Sequence, residues 1–154
     1  MQTILITGAA NGIGRATAMH FHGLGWQVIG LDTDTEALAE LRGALPRESA
    51  LFLSCDVGRE SEVRNAFEGI GEWLGECPLD CLVNNAGIAD PVAGTLEELE
   101  LAEWQTWIDA SLTGAFLVTR ASLAFLRRSG GASIANISST RAVMSEPDTF
   151  AYAA

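Results

Sequence analysis

The stretch TILITGAANGIG, residues 3–14, decides the fold of this chain. Thr3 to Thr7 is a β-branched apolar run without alternation, which fits a strand covered on both faces. Gly8 permits a sharp turn out of that strand, and Gly12 keeps side-chain bulk away from anything lying over the loop. Gly14 lets the following helix pack close to the sheet. A helix starting here presents unpaired N–H groups and the positive end of its dipole, which suits a pyrophosphate. Gly8, Asn11, Gly12, Ile13 and Gly14 are therefore candidate cofactor-binding residues. A glycine triplet alone can be a plain structural turn. The next strand, WQVIGLD at 26–32, supplies the missing context, because it ends on Asp32, 18 residues after Gly14. A carboxylate there can accept hydrogen bonds from ribose hydroxyls and repel a 2′-phosphate. No Arg or Lys occupies 33–36 and Asn11 is uncharged, so NAD is favoured over NADP. Asp32 has a second reading as a helix cap, but Asp34 can take that role and free it.

Outward from the loop, short apolar runs alternate with helical patterns. GIGRATAMHFHGLG reads as a helix that stops at Gly23 or Gly25. DTEALAELRGAL is a second helix, with Pro46 just past its end, and ALFLSCDV (50–57) is a third strand. RESEVRNAFEGIGEWL carries Val63, Phe67, Ile70 and Leu74 at helical spacing. DCLVNNAG (80–87) is a fourth strand running into a turn. Residues 95–130 carry a short helix and a long one, the latter from about Leu101 to Arg128, and ASIANISS (132–139) is a fifth strand. This alternation predicts an α/β fold: a doubly wound parallel sheet in three layers with right-handed crossovers, in a single domain over residues 1–154; the strand order expected is 3-2-1-4-5, the one usual for a sheet that opens on such a dinucleotide-binding glycine loop. The acidic run LEELELAE (96–103) reads as a solvated helix start rather than a pair of catalytic carboxylates.

Composition narrows the function. The net charge is −11, and the nine basic residues are all arginines, scattered along the chain. Nucleic acid and anionic membrane need clustered cations and are excluded as main partners. The apolar stretch Ala110–Leu126 is interrupted by Arg120 and reads as a buried helix, not a membrane span. Cys55, Cys77 and Cys81 are too few for a disulfide framework and have no ligand set around them, so no metal is expected. Three reduced thiols, with Cys81 buried in a strand, and no leader before the first strand point to the cytoplasm. His20 and His22 face different sides of a helix and cannot readily share a metal. Trp104 and Trp107 share a face and read as core or subunit-contact anchors.

The order and spacing of these motifs resemble the short-chain dehydrogenase/reductase family, oxidoreductases with a Rossmann-like NAD(P)-binding fold. Three residues separate the first two glycines of TGAANGIG; CDV (55–57), NNAG (84–87) and NISS (136–139) follow in the family's order. Related dehydratases and epimerases usually have two residues in that gap. The resemblance implies that Asp56 and Val57 border the adenine, that Asn84 ties neighbouring strands, and that Ala86 and Gly87 let the cofactor lie close. The family's serine precedes its tyrosine by thirteen residues, which selects Ser139 rather than Ser138 relative to Tyr152. Ser139 then holds the substrate oxygen, and Tyr152 exchanges a proton with it as hydride moves to or from NAD. The substrate class implied is an alcohol or ketone.

Two departures bear on that chemistry. Where the family commonly has Asn in a stretch like NLTG, this chain has SLTG, so Ser111 stands at the position that holds a water of the proton relay. A phenol ionises near pH 10, and the family assists its tyrosine with a lysine four residues later. The chain contains no lysine, and Tyr152 is third from its last residue. The expectation is a longer parent whose later strands are missing here; the alternative is a non-catalytic NAD-binding regulatory protein or an inactive fragment. Arg141, Met144 and Glu146 are candidates to line a substrate pocket. The resemblance also implies a homodimer or homotetramer joined through the long helix.

Overall fold

The computed structural model describes residues 1–88, 94–144 and 146–154. Strand β1 (Thr3–Thr7) lies at the centre of a five-stranded sheet. On one side of it lie β2 (Gln27–Asp32) and then β3 (Ala50–Ser54); on the other lie β4 (Cys81–Asn84) and then β5 (Ser133–Asn136). The order is β3-β2-β1-β4-β5 and every pairing is parallel, as expected from the sequence. Register runs through Leu5↔Ile29 and Leu5↔Leu82, so the strand ends align. All five carboxyl ends therefore share one edge, which collects the glycine loop, Asp32, residues 55–58, residues 85–87 and Ser139.

Among the described residues four helices pack on the sheet, α1 (Gly12–Gly23), α2 (Thr35–Ala44), α3 (Glu60–Leu74) and α5 (Gly114–Leu126), while α4 (Leu101–Ile108) and the short α6 (Phe150–Ala153) pack on each other. The unbroken apolar run of β1 is explained by burial on both faces. Ile4 and Ile6 join Ala18 of α1 and Leu38 and Leu41 of α2 in one core. Leu5 points the other way, into a core with Val63, Phe67 and Ile70 of α3 and Leu117 and Val118 of α5. Asp34 caps α2, its Oδ1 accepting from the Ala37 amide at 3.0 Å. Asp32 is thereby left for another role.

Three local expectations change. The short helix expected ahead of Leu101 is a turn: the amides of Glu98 and Leu99 both donate to the Thr95 carbonyl at 3.1 Å, closing the chain on itself. Residues 96–100 of the acidic run thus precede α4, and its last acidic residue, Glu103, lies in the first turn of that helix. The long helix is interrupted by a π turn at Asp109–Thr113. Cys81 is half-buried rather than buried. Strand β5 is solvent-exposed at each of its four residues, as an outer strand of the described sheet.

Candidate active site

The glycine loop is held open by its neighbours. Gly8 and Gly12 have φ of +65° and +52°, in the left-handed region that other residues rarely adopt. A Cβ on Gly14 would lie 1.9 Å from the Gly8 carbonyl oxygen, so α1 approaches the turn as closely as a bare backbone allows. A Cβ on Gly12 would meet nothing within 4 Å; its outer side is open space, beside the exposed Ile13. Asn85 secures the turn: its Nδ2 donates to the carbonyls of Thr7 (3.0 Å) and Gly8 (3.2 Å). The Thr7 hydroxyl accepts from the amides of Asn85 and Ala86, both at 2.9 Å. Neither Thr7 nor Asn85 was singled out from the sequence, although the paired asparagines carried a signal. Successive strand residues point to opposite sides, so the two must serve different neighbours. Asn84 faces the other way, donating to Thr119 Oγ1 (3.0 Å) and Asn136 Oδ1 (2.8 Å), which joins β4 to β5 and α5.

These residues fit a dinucleotide. Asn11 precedes α1 but makes no side-chain cap to it. Its Nδ2 donates to Asp34 Oδ2 at 3.0 Å instead, leaving the helix N-terminus to an incoming anion. Asp32 is fixed by two amides: Ala10 donates to Oδ2 at 2.9 Å and Asp34 to Oδ1 at 3.0 Å. Each oxygen retains a lone pair for a ribose hydroxyl. Past β3, the amide of Asp56 donates to Glu62 Oε2 (2.8 Å), and Asp56 Oδ1 accepts from the amide of Gly58 (3.0 Å). Val57 is buried under Gly114, where a Cβ would come within 2.6 Å of its methyl carbon. Burial, with the charges of Glu62 and Asp56 adding to it, pushes the Cys55 thiol up to about 12, so it stays neutral and is no nucleophile.

The residues that the sequence suggests for a reacting end are placed as follows. Ser139 follows β5, and its Oγ accepts from the Arg141 amide at 3.2 Å, capping a 3-10 turn at Thr140–Ala142. Tyr152 stands on α6, its ring edge-on to Trp107 with centroids 5.8 Å apart and planes at 90°. Trp107 and Ala151 are buried there, with Ile88, Leu99, Trp104 and Tyr152 packed around them. No hydrogen bond joins Ser139 to Tyr152. Ser111 lies on the π turn opposite Gly87, where a Cβ would come 3.6 Å from its Oγ. Asp109 braces that turn, its Oδ1 accepting from Gln105 Nε2 (2.8 Å) and Thr113 Oγ1 (3.1 Å). Arg141 is paired with Glu146. Among the described residues no group of three His, Cys, Asp or Glu side chains is arranged to hold a metal, and no helix is long and apolar enough to cross a membrane.

Known proteins share both sequence and geometry with this chain. The family described as short chain dehydrogenase matches residues 2–154. A 3beta-hydroxysteroid dehydrogenase of Mediterraneibacter gnavus is 37% identical over 153 residues, covering 98% of this chain and 54% of that protein. Sulfoacetaldehyde reductase 2 of Chromohalobacter salexigens is 35% identical, with 98% and 60% covered. Among solved structures, a short-chain dehydrogenase from Streptomyces avermitilis superposes with a TM-score of 0.87 at 33% identity, over 99% of this chain and 55% of that one. A closed form of serine dehydrogenase complexed with NADP+ gives a TM-score of 0.87 at 28% identity, over 99% and 60%. The chain thus spans a little over half the length of these relatives. Match to the family along nearly every residue, together with a glycine loop and strand order of the same kind, establishes that the chain belongs to the short-chain dehydrogenase family.

Proposed function

We propose that this chain forms the dinucleotide-binding part of an NAD-dependent oxidoreductase that interconverts an alcohol and a ketone. The observation that carries the reading is the uncapped N-terminus of α1 facing open space at Gly12, next to an Asp32 carboxylate already oriented by two amides. NAD, when bound, supplies the hydride acceptor or donor. The α1 amides hold its phosphates, and Asp32 accepts from its ribose hydroxyls while repelling a 2′-phosphate. Ser139 donates a hydrogen bond to the substrate oxygen, and the Tyr152 phenol passes a proton to or from that oxygen. Ser111, across from Gly87, holds a water in the path of that proton. The three free thiols suit a reducing cytoplasm, and a homodimer or homotetramer fits the exposed apolar residues of α5.

The test has two arms. Titration with both dinucleotides should give tighter binding of NAD than of NADP, and Asp32→Ala should erase that difference; tighter NADP binding overturns the cofactor reading. NAD reduction across a panel of secondary alcohols, measured on the full-length protein, then reads the chemistry. Tyr152→Phe should lower the rate by about a hundredfold or more while leaving NAD binding nearly intact. Ser139→Ala should be severe and Ser138→Ala milder. Undiminished turnover by Tyr152→Phe removes the mechanism, and equal damage at the two serines removes the assignment between them.

A further inference from the structure

The corner that selects the dinucleotide holds a cation the proposed function leaves unused. Arg15 rises from the first turns of α1, and its Nη1 donates to the Ala10 carbonyl at 3.4 Å and to Glu40 Oε2 at 3.1 Å. Ala10 is the residue whose amide holds Asp32 Oδ2 at 2.9 Å. A guanidinium therefore sits one peptide unit from the contact that orients the ribose-reading carboxylate. Guanidinium forks bind phosphate strongly, so an unpaired Arg15 would counteract the repulsion that Asp32 exerts on a 2′-phosphate. Glu40 engages it from α2. Arg59, which follows the carboxyl end of β3, is also occupied, pairing with Asp56 at 3.0 Å, and Arg42, in the last turn of α2, donates Nε and Nη2 to the Phe52 carbonyl at 3.1 and 2.8 Å. Asp34 accepts one N–H of the Asn11 side-chain amide at 3.0 Å, and that side chain carries no charge to offer a phosphate.

We propose that Glu40 is a specificity-determining residue: by pairing with Arg15 it withholds a guanidinium from the ribose 2′ position and sharpens the choice of a 2′-hydroxyl over a 2′-phosphate. The inference rests on the NAD reading and deepens it, because it assigns part of the discrimination to α2 rather than to Asp32 alone. Both side chains are partly or largely exposed, with 36% of the Arg15 side chain and 69% of the Glu40 side chain accessible. Such pairs contribute little to folding, so either can be changed without losing the fold.

The experiment isolates the adenosine end. Calorimetric titration of the chain with ADP and with adenosine 2′,5′-bisphosphate compares ligands with and without a 2′-phosphate. Glu40→Gln should tighten the 2′,5′-bisphosphate by about tenfold and change ADP by less than about twofold. Adding Arg15→Gln to Glu40→Gln should abolish the gain. Unchanged 2′,5′-bisphosphate affinity in Glu40→Gln overturns the proposal. So does a gain that persists without Arg15, since it would come from removing a negative charge and not from releasing the guanidinium. Failure of the NAD reading looks different: the unsubstituted chain would itself favour the 2′,5′-bisphosphate, and Asp32→Asn would not improve it. The comparison of Glu40→Gln with the unsubstituted chain still decides the role of Glu40 in that case.

Discussion

Asp32 and Asp34 lie two residues apart and do different work because their neighbours differ. Asp34 accepts from Ala37, which together with the Asn11 amide holds its carboxyl below the ordinary 3.8. A depressed carboxyl stabilises the fold above its ordinary range, and that contribution is lost as pH falls through 3.8 and below. Asp34→Ala should therefore lower the melting temperature by a few degrees at pH 7, whereas Asp34→Asn, still able to cap, should lose less. Scanning calorimetry of both variants checks the order, and equal losses would remove the cap as the cause. Cys55 shifts the other way, from 9.0 up to about 12. Because the folded chain holds that proton more tightly, the stability it contributes is complete below pH 9 and is lost as pH rises towards 12. Iodoacetamide at pH 8 should label the exposed Cys77 readily and leave Cys55 unmodified until the chain unfolds. Mass spectrometry of native and denatured samples reads this directly, and prompt native labelling of Cys55 would contradict its burial.

The elements show which features a sequence can carry and which it cannot. Glycine positions in the first loop were legible because turn, helix start and strand end all constrain the same seven residues, Gly8 to Gly14. Gly14→Ala would place a methyl 1.9 Å from a backbone carbonyl and should cost more than about 3 kcal/mol or prevent folding. Gly12→Ala meets open space and should cost only about 1–2 kcal/mol for its left-handed backbone, yet on the function proposed above it should weaken dinucleotide binding by setting a methyl where the phosphates would lie. Chemical denaturation paired with dinucleotide titration separates the two effects, and a reversal of that ranking would mean the loop rearranges. The π turn was not legible. Its five residues have helix-compatible side chains, and what widens the turn is three-dimensional. Asp109 accepts from Gln105 and Thr113 on either side of it, and Gly114 presses against Val57 of another loop. The edge-on contact of Trp107 with Tyr152 was equally hidden, since it joins residues 45 positions apart through α6, an element only four residues long. Asn85 escaped notice for a related reason: which of two adjacent asparagines meets the glycine turn is fixed by strand phase.

At the scale of the molecule, a parallel sheet covered on both faces followed from period and crossover rules, its strand order from the kind of glycine loop that opens it, while the surface needs the packed structure to be read. Helix α5 and the end of the π turn expose Leu112 (65%), Phe116 (57%) and Leu123 (37%), spaced four and seven residues apart along one helical side. The opposite side of α5 buries Leu117, Val118 and Leu126 in the core, so the helix is apolar on two sides at once. Arg120 lies over the Phe116 ring at 5.0 Å and pairs with Glu60, giving the stripe a charged margin. An apolar row with a polar rim is the usual composition of a subunit contact. A net charge of −11 opposes association at a distance, so self-association should strengthen as salt screens it. Sedimentation equilibrium should therefore find a dimer or larger assembly that tightens between low and physiological ionic strength. Phe116→Glu, which sets a carboxylate in the middle of the stripe, should yield a monomer whose NAD affinity is unchanged within about twofold, because the glycine loop lies at the strand ends and not on this helix face. A monomer of the unsubstituted full-length protein at high concentration would overturn the assignment, and so would a Phe116→Glu variant that assembles as before.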